Sequence, residues 1–148
     1  MTMLPEGRTM LKRLSHVCLS AQDPARTIAF YRDVLGCAVA HEFRNDAGEL
    51  YGAMLHCGDG TFIELFRDPA ATATGGPFRH LCFEVADIGT TAERLRASGF
   101  ECAIRRGRTD RVLQFFIHDP DGTMIEFHEH DAESILRPWV SAAQGNRP

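Results

Sequence analysis

Four side chains with metal-binding chemistry, His16, Glu64, His80 and Glu126, stand at matched positions of a repeat in this sequence. Asp59-Gly60-Thr61-Phe62-Ile63-Glu64-Leu65-Phe66 reappears as Asp121-Gly122-Thr123-Met124-Ile125-Glu126-Phe127-His128, an offset of 62. His16-Val17-Cys18-Leu19 reappears as His80-Leu81-Cys82-Phe83, an offset of 64. A carboxylate or imidazole is costly to bury unless it is paired or bound to a metal. Two of each make a mixed nitrogen and oxygen set that suits a borderline divalent ion: Zn, Ni, Co, Mn or Fe(II). Such a set leaves positions open for water or substrate. One strand histidine or glutamate alone is more often a hydrogen-bonded core or surface residue. Four at repeat-equivalent positions point to a shared site.

Elements must aim these residues. Asp23 opens a helical pattern through Ile28, Phe30, Tyr31 and Leu35 that Gly36 closes. Asp87 opens another through Ile88, Ala92 and Leu95, closed by Gly99. Aspartate as N-cap and glycine just past the C-terminus are the expected boundaries. Periodicity predicts helices at 24–35 and 88–98. Strands are expected near 12–20, 37–44, 50–57 and 61–67, and again near 78–86, 100–106, 111–118 and 123–129. Asp59-Gly60 and Asp121-Gly122 are tight-turn signals entering the last strand of each half. Strand side chains alternate faces. Val17 and Leu19, Ile63 and Leu65, Leu81 and Phe83, and Ile125 and Phe127 therefore form a face for helices to cover, and the four ligand-type residues point to the other. The expected fold is α+β: two βαβββ repeats forming a cupped, mostly antiparallel sheet with helices on the outer face. Residues 12–130 are read as a single domain with half-repeats 12–67 and 78–130. A segment at 68–77, ending in Gly75-Gly76-Pro77, joins the halves. An N-terminal extension, 1–11, precedes the domain and a tail, 131–148, follows it, with 141–148 read as frayed and Trp139 as a candidate for docking.

The 148 residues are 44% hydrophobic and 24% charged, with a net charge of -4. A mildly acidic chain of scattered charge has no electrostatic reason to seek nucleic acid or an anionic membrane. The first residues lack the apolar core of a signal peptide, and no apolar run reaches membrane-spanning length, so a cytoplasmic setting is expected. The five cysteines, at 18, 37, 57, 82 and 102, are odd in number, without a CxxC pair, and read as small core residues. Arg105, Arg106, Arg108 and Arg111 cluster. They read as a solvated turn, with an anchor for an anionic substrate group as the alternative.

Residues 12–130 resemble the vicinal oxygen chelate superfamily, which includes glyoxalase I, bleomycin- and fosfomycin-resistance proteins, methylmalonyl-CoA epimerase and extradiol dioxygenases. The resemblance rests on the paired βαβββ order, on Ala29-Phe30-Tyr31-Arg32-Asp33-Val34-Leu35-Gly36, and on Asp119-Pro120-Asp121-Gly122 leading to Ile125-Glu126-Phe127. It implies one divalent metal ion per site, held by His16, Glu64, His80 and Glu126, and a homodimer acting on a small-molecule substrate. The complete His/Glu/His/Glu set looks like glyoxalase I. Bacterial members of that subfamily place Arg four residues after the first ligand and Asn four after the second. Ser20 and Asp68 stand there instead and argue against glutathione as co-substrate.

The resulting expectation is a divalent-metal-dependent glyoxalase/epimerase-like enzyme, a lyase or isomerase, acting on a small oxygenated metabolite through a metal-stabilised enediolate. Glu126 is the expected proton acceptor, with Glu64 its symmetry-related counterpart. An Fe(II) extradiol-type dioxygenase using His16, His80 and Glu126 is the first alternative. A non-catalytic, drug-sequestering resistance-type binding protein is the second. Glu84 shares the parity of His80, and His128, which shares that of Glu126, reads as a rim residue rather than a fifth ligand. His41, His56 and His118 have no repeat counterparts and read as incidental.

Overall fold

A computed structural model describes residues 11–73 and 76–140. Most of the N-terminal extension, Gly75 of the connecting segment and residues 141–148 lie outside the described residues. The chain divides between Ala70 and Ala71 into two compact units.

The first unit runs β1 (His16–Ala21), α1 (Pro24–Ala29), β2 (Ala38–Arg44), β3 (Leu50–His56) and β4 (Phe62–Arg67). Asp23 caps α1 by accepting from the Arg26 amide, and Pro24 fills the first turn, where its missing N–H costs nothing. After Ala29 the helix widens into a π-helical turn, Phe30–Val34, and the Leu35 amide reaches back to the Phe30 carbonyl. Gly36, at φ +80°, turns the chain out in the left-handed conformation that glycine adopts without strain. The expected single helix over 24–35 is thus two helical forms in sequence.

The second unit repeats the plan: β5 (Leu81–Glu84), α2 (Ile88–Ala97), β6 (Arg105–Arg106), β7 (Leu113–His118) and β8 (Met124–Glu129). Asp87 caps α2 from its N-terminus. β5 and β6 are much shorter than their sequence patterns predict. Arg105–Arg106 pairs only with Gln114 and Leu113, and residues 100–104 carry no ladder.

Each unit holds one four-stranded mixed sheet with the same order, β1-β4-β3-β2 and β5-β8-β7-β6. First and last strands pair in parallel and the remaining pairs are antiparallel. One face of each sheet is apolar and closed. Leu19, Ala21, Ile63, Leu65, Ala53, Leu55, Ile28 and Tyr31 make the first core, and Leu81, Ile125, Phe127, Phe115, Ile117, Ala92 and Leu95 the second. The expected alternation is present in both.

The tail is partly tied down. Arg106 pairs with Asp131, its Nη2 2.7 Å from Oδ2, and Arg111 pairs with Glu133 at 2.7 Å. The Ile135 amide donates to the Asp110 carbonyl, and Ser134 is buried with its Oγ 2.8 Å from His130 Nδ1. Two of the four clustered arginines therefore hold the tail. Trp139 stays half exposed. Among the described residues no helix is long and apolar enough to cross a membrane.

Candidate metal centre

The sheet geometry brings each histidine to a glutamate within its own unit. β1 and β4 run parallel with His16 opposite Phe62 and Cys18 opposite Glu64. His16 therefore meets Glu64 on the diagonal, with Nε2 3.3 Å from Oε2. His80, inside the strand expected near 78–86, immediately precedes the shorter β5, and its Nε2 lies 2.8 Å from Glu126 Oε2. Both glutamates are the better shielded members, 22% and 12% exposed, against 43% and 37% for the histidines.

The donor sets fit a divalent ion. Ligands at about 2.0–2.2 Å from a metal sit about 3 Å apart when at right angles and about 3.4 Å apart in a tetrahedron. The two His–Glu separations fall within or close to that range, so each pair can share one ion with little movement. Exposure of the imidazoles leaves the open side to solvent or substrate.

The cysteines depart from the core role expected of them. Only Cys102 is buried; Cys18 and Cys82 are exposed and Cys37 and Cys57 intermediate. Cys18 and Cys82 follow the two histidines by two residues, so alternation turns them to the same face. Each lies across the parallel ladder from a glutamate. Partial desolvation and the neighbouring Glu64 carboxylate push the Cys18 thiol up. The same causes, with Glu126, push Cys82 up to about 12. Parity with His16 and His80 was the signal that placed these thiols. Cys37 and Cys57, flanking the β2–β3 pair, bring their sulfurs to 3.8 Å.

Other histidines sort by surroundings. The His128 ring joins Cys82 and Glu126 in one cluster. Burial, then neighbouring His130, lowers its pKa and favours the neutral imidazole. Glu84 is exposed opposite His128. His41 packs against Phe43, and His56 accepts from the Gly60 amide at 3.4 Å beside Phe62. His118 is an exposed end residue of β7. Ser20 is exposed on β1, and Asp68 accepts from the Ala70 amide. Neither supplies the cation or amide expected of a glutathione site.

The sequence profile of the Glyoxalase/Bleomycin resistance protein/Dioxygenase superfamily matches residues 13–127. The chain belongs to that superfamily. Lactoylglutathione lyase of Haemophilus influenzae is 32% identical over 125 residues, 80% of this chain and 93% of that protein. The uncharacterized protein YaeR of Escherichia coli K12 is 30% identical over 125 residues, 80% of this chain and 97% of its own length. Among solved structures, the glyoxalase family protein from Enterococcus faecalis superposes with a TM-score of 0.70 at 26% identity, covering 82% of this chain and all of that one. The superfamily match spans both His–Glu pairs.

Proposed function

We propose that the chain is a divalent-metal-dependent lyase or isomerase of the glyoxalase/epimerase type, acting on a small oxygenated metabolite without glutathione. His16, Glu64, His80 and Glu126 are the metal ligands in this reading. The observation that carries it is the twofold occurrence of a His–Glu pair, 3.3 Å and 2.8 Å apart, at equivalent places in two sheets of the same order. A bound ion supplies Lewis acidity toward substrate oxygens, where negative charge builds when a proton leaves the neighbouring carbon.

The chain's own residues do the rest. His16 and His80 offer ring nitrogens on the exposed side of each pair. Glu126 accepts the proton from the carbon beside a carbonyl and returns it to the adjacent carbon or the opposite face. Glu64, its repeat counterpart, is the second carboxylate available for that exchange. Ser20 and Asp68 stand where the family resemblance implies Arg and Asn for glutathione, which favours a substrate carrying its own pair of oxygens.

Elemental mass spectrometry after refilling the apoprotein with Zn, Ni, Co, Mn or Fe(II) tests the centre. Retention of a tightly bound ion by the wild type, weakened in His80→Ala, is expected. No retention of any of these ions overturns the reading in favour of a sequestering protein. Small hydroxy-carbonyl compounds followed by NMR in heavy water test the chemistry. Deuterium exchange beside the carbonyl in the wild type is expected to fall about 100-fold or more in Glu126→Gln. Oxygen consumption with Fe(II), without such exchange, identifies a dioxygenase instead.

A further inference from the structure

The second unit carries a donor cluster that the first does not repeat. The Cys82 sulfur, a Glu126 carboxylate oxygen and a His128 ring nitrogen lie within 4.8 Å of one another. Cys82 is the register partner of Glu126 across the parallel β5–β8 pair. His128, two residues further along β8, keeps to the same face. In the first unit Cys18 lies beside Glu64 in the same way, but the residue two further on is Phe66, stacked on Phe43 and Tyr51. An aromatic cluster therefore stands where the second unit has an imidazole.

We propose that Cys82 and His128 join Glu126 as a three-donor binding position for a thiophilic divalent ion such as Zn(II), Co(II) or Cd(II), built wholly within the second unit. The chemistry of the donors selects the ion. Thiolate and imidazole bind borderline and soft metals and disfavour Mg and Ca, which take oxygen ligands. As the sulfur–metal bond forms, the thiol proton passes to solvent, and one thiolate with one carboxylate neutralises the double positive charge. Donors around such an ion stand roughly 3–4 Å apart, so a spread of no more than 4.8 Å asks for at most a slight contraction. Cys82, exposed at the sheet surface, has room to do so. The position shares Glu126 with the function proposed above and rests on that reading only through this residue.

Cobalt titration of the full chain tests it. His16→Ala/Glu64→Ala, which removes the first unit's pair, is expected to bind Co(II) with a near-ultraviolet sulfur-to-cobalt charge-transfer band. Adding Cys82→Ser should abolish the band, and adding His128→Ala should weaken cobalt binding about tenfold or more while the band persists. Circular dichroism of each variant verifies that the fold is kept. Cobalt bound without the band in His16→Ala/Glu64→Ala, or a band that survives Cys82→Ser, overturns the proposal. The function proposed above fails separately, when His16→Ala/Glu64→Ala keeps wild-type turnover, whatever its spectrum.

Discussion

Cys82 illustrates how a residue's chemistry follows from its register partner. Desolvation, and then the Glu126 carboxylate beside it, push its thiol up to about 12, so in the metal-free protein it is almost entirely protonated at neutral pH. Iodoacetamide should label it more slowly than an ordinary exposed cysteine, because the thiolate is the nucleophile. Glu126→Gln removes the negative charge, lowers the thiol pKa and should speed labelling of Cys82, as read by peptide mass spectrometry. An unchanged rate would show that Glu126 adds nothing to the desolvation that raises this thiol. The four ligand-type residues were legible in the sequence because each stands in a repeated motif flanked by apolar residues of the opposite parity. Cys18 and Cys82 obey the same parity, but their exposure is not legible in the sequence, since a cysteine between aliphatic residues fits either face. The pairing of Arg106 with Asp131 was not legible, because it joins positions far apart in sequence through a turn that no periodicity fixes.

At the scale of the elements, the His–Glu pairs depend on close sheet packing behind them. Gly52 lies on β3 where an added Cβ would collide with the Leu65 carbonyl and the Phe66 ring. Gly52→Ala should therefore destabilise the protein by about 2 kcal/mol or more, measured by urea unfolding. Leu65 is fully buried next to Glu64, and Leu65→Ala should cost about 2–5 kcal/mol for the lost burial and the cavity left behind. The tail makes a pH-dependent contribution. Arg106 holds the Asp131 carboxyl at about 2, below its ordinary 3.8. A carboxyl whose pKa is depressed on folding stabilises the fold above its ordinary pKa and loses that contribution as pH falls through the folded value. Between about pH 4 and pH 2 the wild type should lose more stability than Asp131→Asn, as followed by thermal melts across that range. Equal slopes would mean that the pair does not hold the folded state. Helix starts and most strand positions were readable from aspartate caps and alternation. The π-helical turn after Ala29 was not, because its apolar spacing also fits an ordinary helix. β6 is short for a similar reason: Phe100 to Ile104 reads as strand by composition, yet no neighbouring strand pairs with it.

At the scale of the whole molecule, the proposed function makes ion binding and stability one linked property. An ion held only by the native chain stabilises it by mass action, by about 2.7 kcal/mol at a free concentration one hundred times its dissociation constant. The melting temperature should rise on adding the preferred ion and fall back on adding a chelator, with a smaller rise in His80→Ala. A chelator-treated protein that melts at the same temperature with and without metal would contradict this.

The strand order also dictates when each His–Glu pair comes into being. In both units the strand carrying the glutamate is made last and slots between the first strand and the third, so the first strand, which His16 opens and His80 leads into, joins its sheet only through that latecomer. A nascent chain thus exposes His16 long before Glu64 is made, and His80 long before Glu126. Closing the intervening loop is an entropic cost met only when the final strand docks. A half-made unit therefore lacks the His–Glu pair, and any ion that the proposed function assigns to it can be held only once the sheet is complete.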